Sequence, residues 1–158
     1  MPLPELATAA PEFTLLDQAG TEVSLAGLRG RWVVLYFYPR DDTPGCTREA
    51  CNFRDNHAAL SEHGAVVLGV SPDAAGAHQK FATKYELPFQ LLVDDREHTV
   101  ARAYGAWGLK KNYGKEYEGM IRSTVMIAPD GRVAQTWPRV KPDNHGEEVL
   151  QWLMEHAK

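Results

Sequence analysis

The chain has 158 residues, 44% of them hydrophobic and 24% charged, with a net charge of −4. That length fits one domain with a single substantial core, and the acidic balance, with no Lys/Arg cluster, excludes a nucleic-acid binder. No stretch approaches the roughly 20 apolar residues of a membrane span.

No repeat, low-complexity stretch or Pro/Gly/Ser-rich linker divides the sequence, so residues 1–158 are expected to form one domain. Phe13-Thr14-Leu15-Leu16 and Glu22-Val23-Ser24-Leu25 flank Asp17-Gln18-Ala19-Gly20, which predicts an N-terminal hairpin. Trp32-Val33-Val34-Leu35-Tyr36-Phe37-Tyr38 is an unbroken apolar and aromatic run suited to a strand buried on both faces. Pro39-Arg40-Asp41-Asp42-Thr43-Pro44-Gly45 interrupts it, and Cys46 opens a helix that runs to about His63. Ala65-Val66-Val67-Leu68-Gly69-Val70 reads as a second buried strand. A helix follows from about Asp73 to Tyr85, with Ala77, Phe81 and Tyr85 at helical spacing, and Leu87-Pro88 closes it. Phe89-Gln90-Leu91-Leu92-Val93 is a third strand, and a short helix near Arg96 to Tyr104 ends at Gly105. Tyr104, Trp107 and Tyr113, beside Gly105, Gly108 and Gly114, form either a loop over a site or ordinary packing. Ile121 to Ile127 and Arg132 to Trp137 flank Pro129-Asp130-Gly131, a strong hairpin turn. The last helix is expected to start at a capping box, Asn144 with Glu147, and to bury Val149, Leu150, Leu153 and Met154. The order β-α-β-α-β, then hairpin, then helix predicts an α/β fold, a mixed sheet with helices on both faces. Such sheets carry active residues at the carboxyl ends of their strands, and Cys46 follows one of those ends.

Cys46 and Cys51 are the only cysteines. A thiol in the first turn of a helix faces unpaired N–H groups and the positive end of the dipole, which favour thiolate, the nucleophilic form. On an unbroken helix, residues five apart are roughly 8.6 Å apart at Cα and about 140° apart around the axis, beyond the ~7 Å reach of a disulfide. The pair is therefore two buried thiols that never bond, a helix start built to come apart in a redox cycle, or, least in keeping with a helix, a permanent bridge. Met1-Pro2-Leu3-Pro4-Glu5-Leu6 lacks the regions of a secretory signal. The expected compartment is accordingly the reducing cytoplasm, where a cysteine pair is more often catalytic or metal-binding than structural. His57, His63, His78, His98, His145 and His156 show no metal-ligand spacing, and a four-residue gap between cysteines is at the edge of zinc pairs, so no metal is expected.

Pro39-Arg40-Asp41-Asp42-Thr43-Pro44-Gly45-Cys46 matches the Pro-x-x-x-Thr-x-x-Cys signature of the peroxiredoxins. The longer run from Thr43 to Asp55 resembles the peroxiredoxin Q branch, also called bacterioferritin comigratory protein. The resemblance extends to Gly69-Val70-Ser71-Pro72-Asp73, Tyr104-Gly105-Ala106-Trp107-Gly108, Arg122-Ser123-Thr124 and the C-terminal helix, and so covers nearly the whole chain. It implies a thioredoxin-like fold and a peroxidase that reduces hydrogen peroxide and organic hydroperoxides without metal, flavin or other cofactor. It also implies Cys46 as the peroxidatic residue, Thr43 and Arg122 as its activating partners, and Pro39 as a shield over the pocket. Cys51 would resolve the sulfenic acid, and thioredoxin would be the usual electron donor. The enzyme would act as a monomer or weak dimer. Two positions depart from the pattern: Val125 stands where an aromatic residue is common, and Ala128 where Asp is common.

The residues fit this chemistry. Peroxide reduction needs a thiolate aligned with the O–O bond and donors for charge developing on the departing oxygen. Arg122 supplies a permanent charge and a fork of donors, and Thr43 a hydroxyl that donates and accepts. Glu49, one helical turn after Cys46, is placed to orient the Arg122 fork. The competing readings are a thiol-disulfide carrier, although the Cys-x-x-Cys spacing of carriers is absent, and a redox-sensing binding protein.

Overall fold

The run from Trp32 to Phe37 forms the central strand because its residues alternate between two apolar layers. In the computed structural model, which describes residues 3–94, 96–112 and 114–157, this strand has neighbours on both edges and both of its faces are covered. The elements, in chain order, are β1 (Thr14–Leu16), β2 (Glu22–Ser24), β3 (Trp32–Phe37), α1 (Pro44–Glu62), β4 (Ala65–Ser71), α2 (Ala75–Lys84), β5 (Gln90–Val93), α3 (Thr99–Ala103), β6 (Trp107–Asn112), β7 (Lys115–Met120), β8 (Ser123–Ile127), β9 (Val133–Trp137) and α4 (His145–His156). A short 3-10 turn over Ala26–Leu28 precedes β3.

Seven strands form one mixed sheet in the order β2-β1-β5-β4-β3-β8-β9. β3, β4 and β5 are parallel, as strands joined by α1 and α2 must be, and the hairpins β1–β2 and β8–β9 extend the sheet antiparallel at its two ends. Side chains alternate across β3. Val33, Leu35 and Phe37 join one core layer with Phe13, Leu25, Val100 and Tyr104. Val34, Tyr36 and Tyr38 join the other with Phe53, Phe81, Val149 and Leu153. Thus α1, α2 and α4 cover one face, and α3 with the N-terminal residues Leu3, Ala10 and Phe13 and with Leu28 of the 3-10 turn covers the other. Tyr36 fits only because its partner across the parallel ladder is Gly69, where a Cβ would come within 2.9 Å of the Tyr36 hydroxyl.

Several sequence expectations shift. α1 begins at Pro44, two residues before Cys46, because proline has no N–H to lose at the first helical position. The Asn144 side chain makes no cap bond on α4. Asn52 of α1 takes that role from outside, its Oδ1 accepting from Glu147 N at 3.2 Å, so the predicted capping box does not form. Val149 and Leu153 are buried and Leu150 partly so, but Met154 is 54% exposed at the outer side of α4. Trp107–Asn112 and Lys115–Met120, in the stretch left open between a loop over a site and ordinary packing, form the separate ribbon β6–β7. Tyr104 and Trp107 pack with the core layer on the side of the sheet opposite Cys46, and Tyr113 lies outside the described residues.

Candidate active site

The β3–α1 connection leaves the carboxyl end of β3, and the antiparallel register of β8, with Phe37 opposite Ser123, brings Arg122 to that same end. Thr43 is the N-cap residue of α1 in an extended conformation, and the first bond of the helix runs from Thr47 N to Thr43 O at 2.8 Å. The N–H groups of Gly45 and Cys46 therefore precede the helical ladder, on the positive end of a helix of 19 residues. Cys46 is 1% exposed. Arg122 Nη2 donates to its sulfur at 3.2 Å, and Nη1 donates to Glu49 Oε1 at 2.7 Å. One guanidinium thus spans the thiol and a carboxylate a helical turn further on.

Gly45 makes that approach possible, since a Cβ there would meet Arg122 Nη2 at 3.1 Å. The Arg122 carbonyl accepts from Val140 N at 2.9 Å, which fixes the backbone behind the fork. Burial works against the charge on Arg122, but Glu49 and Cys46 more than offset it, so its pKa is raised. Burial pushes Glu49 up to about 7, against the opposing pull of Arg122.

Pro39 lines a cleft of about 270 Å³ with Lys110, Lys111, Ile121, Arg122, Arg139 and Val140. Thr43 stands at the helix entrance, but its hydroxyl donates to Arg40 O at 3.0 Å. The structure therefore joins Cys46, Arg122 and Glu49 directly, brings Pro39 beside Arg122, and leaves the Thr43 hydroxyl engaged within its own turn. Cys51 is half-buried on the same unbroken helix, and both cysteines are free thiols.

Lys110 was not legible as a site residue. The ribbon carries it to the cleft, where its amine donates to Met120 O at 2.9 Å. Burial, and then the charge of Arg122, lower its pKa. Nothing in Trp107-Gly108-Leu109-Lys110-Lys111 marks a site residue; the ribbon brings Lys110 and Lys111 to the cleft, and Lys110 is the one bonded to Met120 O. Among the described residues, the group able to offer several ligand atoms to one metal ion is Asp41, Asp73 and His78, which includes neither cysteine.

A thioredoxin-like α/β sheet with a buried, arginine-paired cysteine at a helix start defines a thiol-redox protein. Residues 6–136 match the AhpC/TSA family. The chain is 50% identical over 154 residues to Peroxiredoxin Bcp of Bacillus subtilis (strain 168), covering 98% of each protein, and 43% identical to Peroxiredoxin Bcp of Escherichia coli (strain K12), covering 94% of each. Among solved structures, it superposes on the Xanthomonas campestris bacterioferritin comigratory protein, described for its alkyl peroxide reduction activity, with a TM-score of 0.89, 37% identity and full coverage of both chains. It superposes on peroxidoxin BcpB of Mycobacterium tuberculosis with a TM-score of 0.85 and 33% identity, covering 98% of this chain and 99% of the other. The chain belongs to the AhpC/TSA family and, within it, to the peroxiredoxins of the Bcp or peroxiredoxin Q branch.

Proposed function

We propose that this chain is a peroxidase that reduces hydrogen peroxide and organic hydroperoxides at Cys46, closes a Cys46–Cys51 disulfide, and is restored by thioredoxin or a similar dithiol. The observation that carries the reading is Arg122 Nη2 at 3.2 Å from the buried Cys46 sulfur. A guanidinium so placed pairs with a thiolate and can stabilise the charge that a peroxide oxygen gains beside that sulfur. The thiolate attacks one peroxide oxygen, an S–O bond forms as the O–O bond breaks, and the departing oxygen leaves with the electron pair and takes a proton to give water or an alcohol. Cys46 is then a sulfenic acid. The Cys51 thiolate attacks its sulfur, hydroxide leaves as water on protonation, and the disulfide passes to the external dithiol, which is oxidised in turn.

Glu49 holds the Arg122 fork, Pro39 walls the cleft beside it, and Thr43 is the N-cap residue at the helix entrance, its hydroxyl donating to Arg40 O. The reading suits a reducing compartment, the cytoplasm, where the dithiol donor is available. Stopped-flow oxidation of the reduced protein tests it. Cys46 is expected to react orders of magnitude faster than a free thiol, and an ordinary rate overturns the peroxidase. Cys46→Ser abolishes turnover. Cys51→Ser permits one oxidation and blocks cycling with thioredoxin; normal cycling of that variant would remove Cys51 from the resolving role.

A further inference from the structure

His78 of α2 is fully buried and has no contact with the thiol, yet both of its ring nitrogens face acceptors. Nε2 lies 2.9 Å from the Leu92 carbonyl oxygen, and Nδ1 lies 2.6 Å from Asp41 Oδ2. A carbonyl only accepts, so Nε2 faces Leu92 O as a donor, while Nδ1 lies at hydrogen-bond distance from the Asp41 carboxylate. The Asp41 contact is short and shielded from water, the two side chains being at most 6% exposed. The other Asp41 oxygen accepts from the Tyr38 hydroxyl at 2.5 Å. The Asp41 backbone N–H donates to Asp73 Oδ2 at 2.7 Å, and the Ser71 hydroxyl donates to that same oxygen at 2.9 Å.

Asp41 sits in the turn between β3 and α1, so this network fixes the loop that presents Pro39 and Thr43. The next residue, Asp42, has φ 57°, the left-handed region that non-glycine residues occupy at a cost. Lys84 Nζ and the Tyr85 hydroxyl hold its carboxylate, each at 2.9 Å. Beyond the cysteines, Arg54 Nη1 donates to Tyr85 O at 2.8 Å. The chain is thus gripped by α2 and the residue after it at Asp41 and Asp42 before Cys46, and at Arg54 after Cys51. The segment that the resolving step has to unwind lies between the grips.

We infer that His78 is a positioning residue for the reaction at Cys46: through Asp41 it fixes the loop carrying Pro39 and Thr43, and so favours the folded, peroxide-reactive arrangement over the unwound one. This rests on the peroxidase reading above. The rate of peroxide attack scales with the population of the folded arrangement, and the rate of disulfide closure with that of the unwound one. Releasing the clamp therefore slows the first step and quickens the second. Global weakening of the protein would not produce that pair of opposite changes.

His78→Gln keeps a donor toward Leu92 O and removes the contact with Asp41, whereas His78→Asn places its amide toward Asp41. In stopped-flow experiments on the full chain with hydrogen peroxide, His78→Gln is expected to slow Cys46 oxidation about tenfold, to quicken Cys46–Cys51 closure, and to lower the over-oxidised fraction by mass. His78→Asn is expected to restore both rates to within about threefold of the parent. If His78→Gln does not fold, as judged by circular dichroism, Asp41→Ala at the other end of the clamp takes its place with the same expected pair of changes. Parental rates in a folded clamp variant, or both steps slowed together, overturn the inference. A parent protein that oxidises no faster than a free thiol overturns the peroxidase reading itself.

Discussion

Glu49 has one oxygen on Arg122 and the other, Oε2, buried with no hydrogen-bond partner among the described residues. Burial lifts its pKa from 4.5 to about 7 although Arg122 pulls the other way. The folded protein therefore binds this proton more tightly than the unfolded chain does. The stabilisation it gives is fully present below pH 4.5 and is lost as pH rises through about 7. Linkage sets the full change on the order of 3 kcal/mol. Urea unfolding of the reduced protein at pH values from 5 to 8 is expected to show this fall, and Glu49→Gln, which stays neutral, to flatten it. An unchanged slope in the variant would mean that Glu49 is ionised throughout. Glu49 was legible as a residue one turn after Cys46, but its burial was not, because burial depends on β8 delivering Arg122 across the chain.

At the level of elements, α1 must be stable enough to seat Cys46 and weak enough to release it. Its first turn has Pro44 and Gly45, no acidic residue and no side-chain cap, which makes that end intrinsically poor in helix-stabilising groups. From Asn52 onward it is tied to α4: Asn52 Oδ1 accepts from Glu147 N, and Gly146 packs so close that a Cβ there would lie 2.8 Å from Asn52 O. Unwinding should therefore run from the helix entrance to Cys51 and stop. Hydrogen exchange of the disulfide form is expected to show lost protection from Gly45 to about Asn52 and retained protection from Phe53 on, relative to the reduced form. Equal protection in the two forms would contradict it. The sequence shows the Pro-Gly start and the awkward cysteine spacing. It does not show the stop, because the contact of Asn52 with α4 joins segments 95 residues apart. The ribbon β6–β7 was missed for a related reason: Lys115-Glu116-Tyr117-Glu118-Gly119 is mostly exposed and carries no core-facing alternation.

Across the whole molecule, the sheet was legible because β3, β4 and β8 bury nearly all their residues and β5 its central pair, and such runs admit few alternatives. That same burial sets the balance between redox states. A cross-link closing so short a loop removes little entropy from the unfolded chain, about 2 kcal/mol by the loop-length relation. Forming it takes Cys46, Glu49 and Ala50 out of a packed layer in which each is at most 1% exposed, and separates Glu49 from Arg122. Vacating that layer exposes apolar side chains that the helix start covers and leaves Arg122 without either of its partners, at a cost on the order of a few kcal/mol. The loss exceeds the gain, so the disulfide form is expected to melt several degrees below the reduced form, the reverse of the usual effect of a disulfide. Calorimetry of the two forms at neutral pH measures the difference directly. A higher melting temperature for the oxidised form would mean that the helix start keeps its packing when the sulfurs bond, and that the unwinding on which the resolving step depends does not occur.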